Sequence, residues 1–125
     1  MDLIKINKNN TEEIKKVIDI ANNHIKNRIE SYIHFKFKSY DMAMKLNKDA
    51  RLTLSYDYDS CEIDFIDFIN LDAIYISSID MNDISYISKD YNNDNILEGI
   101  SFYLKDVGTM SIEFNNEEIF IPTTL

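Results

Sequence analysis

A chain of 125 residues with two glycines, one proline, one cysteine and no tryptophan leaves out several kinds of chemistry at once. Its two glycines, Gly99 and Gly108, stand too far apart to build a glycine-rich phosphate loop. The single cysteine, Cys61, cannot close an internal disulfide, which agrees with a reducing compartment. No apolar run approaches the ~20 residues that a membrane-spanning helix needs. The first ten residues, MDLIKINKNN, lack the apolar run and small-residue cleavage site of a signal peptide, so a cytoplasmic setting is expected, in a bacterium or an infected host cell. With so little glycine to shape loops and no tryptophan to stack on a ring, a sugar-cleaving cleft is not expected.

Metal ligands are also sparse. His24 and His34 lie ten residues apart with no acid or cysteine at ligand spacing. Asp57, Asp59 and Cys61 begin a calcium-loop pattern that fails at its sixth and twelfth positions, Glu62 and Phe68. Asp90, Asn92 and Asp94 begin another that places Ser101 where a bidentate glutamate belongs. No catalytic motif stands out, and no metal or cofactor is expected.

What the chain has in abundance is isoleucine, asparagine and acid. It holds 21 Ile against 2 Val, and 14 Asn, a preference that matches A/T-rich codons. Net charge is −9, unevenly spread. Residues 1–51 balance to +4, and residues 52–125 to −13 with only Lys89 and Lys105 as cations. Such a block repels nucleic acid and anionic membranes and attracts basic protein surfaces.

By length this is a single domain, residues 1–125, with about two thirds of its unfolded surface buried on folding. Met1–Asn10 is expected to form an edge strand or an arm. Asn10 and Glu13 match a capping box, and Ile14, Val17, Ile18, Ala21, Ile25, Ile29, Tyr32 and Ile33 recur at helical spacing. From Ile33 to Phe37 the alternation also fits a strand, but nothing forces a break, so the helix is expected to continue to about Leu46. Strands are expected at Arg51–Tyr58, Glu62–Asn70, Leu71–Ile79 and Ile84–Ser88. Asp90–Asn95 is expected as a polar loop. Ile96, Leu97, Ile100, Leu104 and Val107 suggest a second helix, capped at Asn95 and ended at Gly108. A hairpin turning at Asn115-Asn116 would close the chain before Pro122. The expected fold is α+β: a long N-terminal helical segment packed on a mostly antiparallel β-sheet, with a second short helix before a C-terminal β-hairpin.

The densest acidic stretch is Tyr56–Asp67, YDYDSCEIDFID. On a strand, alternate carboxylates such as Asp57 and Asp59 share a face about 6.6 Å apart, close to the phosphate spacing of a nucleic-acid strand. Tyr56, Tyr58, Tyr75, Tyr86 and Tyr91 offer flat contact area beside the charge, and the expected partner-binding set is Tyr58 with Asp57, Asp59, Asp64, Asp67, Asp72, Asp80 and Asp83. Size, acidity and the lack of catalytic machinery resemble, in type, anti-CRISPR and anti-restriction inhibitors from phage or mobile elements. They also resemble immunity proteins that neutralise toxin nucleases. The expected activity is therefore not enzymatic. The acidic surface would occupy the nucleic-acid site of a nuclease or CRISPR effector, without touching nucleic acid or membrane itself. A structural or oligomeric assembly protein is the competing expectation, and a homodimer through the N-terminal helix would belong to it.

Overall fold

The structure is a computed structural model that describes residues 2–5, 11–27, 30–57, 60–69 and 72–115. Among the described residues the regular structure is one helix and nine strands, with a single 3₁₀ turn at Met81–Asp83. Strands β1 (Asp2–Lys5), β2 (Glu30–Phe37), β3 (Tyr40–Leu46), β7 (Ile84–Tyr91), β8 (Leu97–Leu104) and β9 (Gly108–Asn115) form a six-stranded sheet in the order β1-β7-β8-β9-β2-β3. Strands β4 (Arg51–Asp57), β5 (Ser60–Ile69) and β6 (Asp72–Asp80) form a second, three-stranded sheet in chain order. Every strand pair is antiparallel.

Helix α1 (Thr11–Asn27) starts on two acids, Glu12 and Glu13, that suit the positive end of its dipole. Its stripe Ile14, Val17, Ile18, Ala21 and Ile25 is buried in one core shared with both sheets. The large sheet contributes Ile33, Phe35, Ile87, Ile100, Phe102, Met110, Ile112 and Phe114; the small one contributes Leu52, Ile63, Phe65 and Ile79. Phe65 and Phe102 meet edge to face across the two sheets, 5.5 Å between centroids. The helix is also stitched to β4. The Asn22 amide donates to the Leu52 carbonyl at 3.0 Å and accepts from the Leu52 N–H at 2.8 Å. Among the described residues no helix is long and apolar enough to cross a membrane.

This architecture overturns the expected α+β arrangement in two places. Residues 30–46 do not continue the helix; they form the β2–β3 hairpin around a two-residue turn at Lys38-Ser39. The physical cause is the alternation itself. Ile33 and Phe35 turn into the core while His34 and Lys36 turn out, a division that only a period of two achieves. No glycine or proline was needed for the turn.

Residues 97–104 do not form a second helix. They form β8, hydrogen-bonded to β7 on one side and β9 on the other. Ile100 and Phe102 face inward at zero exposure, and the helical stripe had skipped Phe102. Gly99, a poor helix residue, lies in the strand, where a β-carbon would stand 2.9 Å from the Ile112 carbonyl oxygen. Gly108 ends no helix. It opens β9 after the turn that follows β8, with φ of +149°.

Several expectations hold. Strands occur at Arg51–Asp57, Ser60–Ile69, Asp72–Asp80 and Ile84–Tyr91, and Asp2–Lys5 is an edge strand. The expected Asn10 cap and the chain beyond Asn115, with its hairpin return, lie outside the described residues.

Candidate docking face

The small sheet has one face in the core and one turned outward, and its register shows which residues share the outer side. Ile63, Phe65 and Ile79 face in. Their neighbours by alternation therefore face out, in cross-strand rows. One row holds Ser55, Glu62 and Asp80; the next holds Thr53, Asp64 and Ser78; the third holds Arg51, Ile66 and Tyr75. An irregularity between Phe65 and Ile66 lets β6 skip Ile76 and keeps Tyr75 in the outer row.

Two halves result. At one end, Ile66 is buried although it is not part of the main core. The Arg51 guanidinium lies 5.0 Å above the Phe68 ring beside it, and Tyr75 stands 63% exposed. At the other end, Glu62 lies directly opposite Asp80, a pairing of like charges that costs stability in a sheet. Asp64, next along β5, is buried. Its Oδ2 accepts from the Ser55 hydroxyl at 2.6 Å, and its Oδ1 is buried without a hydrogen-bond partner in the structure.

The residues expected to bind a partner are thus distributed unevenly. Asp57 lies in β4 opposite Ser60, while Tyr58 and Asp59 lie outside the described residues. Asp64 and Asp67 are buried and spend their carboxylates internally. Asp67 accepts from the Asn47 amide at 3.1 Å and from the Phe68 N–H at 2.7 Å, tying the β3–β4 loop to β5. Asp80 is half-buried and caps the 3₁₀ turn through the Asn82 N–H. Asp72 and Asp83 are exposed, Asp72 starting β6 and Asp83 ending that turn. Tyr75, one of the tyrosines expected beside the charge, completes the face with Glu62, which was not in the expected set. The alternation of Glu62 with Asp64 was the signal that would have found Glu62.

The large sheet turns a second polar surface outward. Because Gly99 has no side chain, a shallow groove of about 490 Å³ opens between Asp90, Glu98, Ser101, Ser111 and Glu113. Asp90 accepts from the Ser88 and Ser101 hydroxyls at 3.0 and 3.1 Å. In the adjoining loop, the Asn92 side-chain oxygen accepts from the Asp94 and Ile96 N–H groups, so the DYNNDN stretch is organised around its own amide. Among the described residues no group of three His, Cys, Asp or Glu could hold a metal ion.

His34, on the same outer surface, bridges three strands. Its Nε2 meets Asp41 of β3 at 2.5 Å, and its Nδ1 meets Glu113 of β9 at 3.1 Å. The hydrogen bond to Asp41 first, then that to Glu113, raises its pKa above the ordinary 6.5, against a smaller opposing effect of burial. A raised histidine pKa stabilises the folded state fully below about 6.5, and that contribution fades as pH climbs through the raised value. Urea titrations across that window should show native stability falling with rising pH. The His34→Gln variant should lose that part of the slope; an unchanged slope would mean that the clamp contributes nothing.

Comparison with protein-family models, with curated proteins and with solved structures finds no match for the chain.

Proposed function

We propose that this is a non-enzymatic acidic binding protein whose small-sheet outer face docks on the basic, nucleic-acid-binding surface of another protein, as an anti-defence inhibitor of a nuclease or CRISPR effector would. The observation that carries the proposal is the Glu62–Asp80 pair, which shares the outer face of the small sheet with the exposed Tyr75 two rows away. Glu62 and Asp80 stand opposite each other in register, a like-charge pairing that is unfavourable in a sheet and that a cationic partner would offset. Tyr75 supplies an exposed aromatic anchor at the other end of the same face. The half of the chain that builds this face carries a balance of −13, which would steer encounter with a basic surface. Immunity against a toxin nuclease would use the same face, and the cytosol is the compartment in which either role is played.

The test is a cleavage assay over a panel of restriction nucleases, CRISPR effectors and toxin nucleases. The protein should inhibit at least one, with inhibition weakening steeply as salt rises. Glu62→Lys combined with Asp80→Lys should weaken inhibition by at least about tenfold, and Tyr75→Ala by a similar factor. These positions are preferable to Asp64 and Asp67, whose buried carboxylates would confound binding with folding. Inhibition that is indifferent to the charge reversals, or absent across the panel, would overturn the proposal.

A further inference from the structure

The two sheets have four edges, and the structure deals differently with each. β1 is only four residues long. The edge of β4 is occupied, because Asn22 of α1 takes both the N–H and the carbonyl of Leu52. β6 carries a register irregularity, and pairing with itself about its midpoint would set Asp72 against Asp80. These are ordinary protections against edge-to-edge association. β3 has none of them. It is seven residues long, pairs with β2 without a break in register, and contains no proline. Its residues are exposed except Met42, which is half-buried, and Leu46, which is buried.

The sequence of β3, YDMAMKL, is complementary to itself when reversed about Ala43. An antiparallel copy in that register sets Asp41 opposite Lys45 of the second molecule, and Lys45 opposite its Asp41. Met42 meets Met44, and Tyr40 meets Leu46. Asp41 and Lys45 keep 64% and 59% of their side-chain surface exposed, although each already has a partner within its own chain, His34 and Glu30. Tyr40 and Met44 are 47% and 39% exposed on the opposite side of the strand. The backbone fits as well. A two-residue hairpin makes Phe37–Tyr40 its hydrogen-bonded closing pair. Alternation then turns the N–H and carbonyl groups of Asp41, Ala43 and Lys45 toward the edge that no other described strand occupies, with Ala43 on the two-fold axis.

We infer that the chain forms a symmetric homodimer through β3, joining two six-stranded sheets edge to edge across a two-fold axis. The interface is isologous, as a two-fold contact requires. It does not involve α1, whose apolar stripe is consumed by the chain's own core. The inference is independent of the proposed docking face, which lies on the other sheet.

Sedimentation equilibrium of the full chain over a wide concentration range tests it. The native protein should populate dimer. Asp41→Lys places Lys against Lys, and Lys45→Asp places Asp against Asp, so each variant alone should weaken the dimer by on the order of tenfold or more. An equimolar mixture of the two should dimerise again, because each variant then faces charges of the opposite sign. Ala43→Pro removes an N–H that points away from β2, and it should abolish the dimer while circular dichroism keeps its sheet signal. If Asp41→Lys unfolds because His34 loses its partner, Lys45→Asp and Ala43→Pro decide the matter. A monomeric native chain, a dimer unaffected by these changes, or a mixture of folded variants that stays monomeric would overturn the inference.

Discussion

Replacing Gly108 with alanine is expected to cost roughly 3 kcal/mol or more, a large share of the 5–15 kcal/mol that holds a domain of this size together. Two effects add. The residue sits at φ +149°, a backbone conformation that side-chain-bearing residues rarely adopt. A β-carbon built there would stand 2.3 Å from the Lys36 carbonyl oxygen and 2.9 Å from the Phe37 α-carbon. Both obstacles are backbone atoms of the neighbouring strand, so relief requires moving β9 away from β2 at the point where the sheet's two halves join. Chemical denaturation measures the loss. Val107→Ala is the control: one residue away and 48% exposed, it should change stability by no more than about 0.5 kcal/mol. If the two variants proved equally stable, the close approach of Gly108 to β2 would be wrong.

Phe102→Ala should cost about 3–5 kcal/mol, because a large side chain with no exposed surface leaves a cavity that β7 and β9 hold open on either side. The substitution is more informative than its size suggests. Phe102 is the residue through which the central strand of the large sheet touches Phe65 of the small one. A double-mutant cycle with Phe65→Ala should return a coupling of about 0.5–1.5 kcal/mol beyond the separate losses. Strict additivity would show that the two sheets do not pack through this pair.

Much of the fold could be read along the chain, for a physical reason that recurs. Where a strand has one buried face and one open face, burial imposes a period of two on the sequence, and β4 and β9 display it directly. Helix α1 was legible from Ile14 to Ile25 because its stripe meets the core at every turn. The misread segments are those where both periods fit. Ile33, Phe37, Tyr40 and Met44 satisfy a helix on paper. In the structure Ile33 faces Met44 and Phe37 faces Tyr40 across a hairpin. In β8 the strand is central, with Leu97, Ile100 and Phe102 in the core and even Gly99 and Ser101 buried, so polar alternation is faint and local pattern could not separate strand from helix.

The candidate face divides the same way. The amino-acid sequence by itself determined the charge, with its acidic second half, and the single cysteine. Those are properties of composition and spacing, and no folding changes them. Only the tertiary structure decided which carboxylates are available. Asp64 and Asp67 stand two and five places from Glu62 in one acidic run, yet both are buried, one on a serine and one on an asparagine, while Glu62 is left facing Asp80. It also decided which sheet edge is left open among the described residues. Both outcomes depend on cross-strand register and on which partner occupies the neighbouring position, and such pairings join residues far apart in the chain.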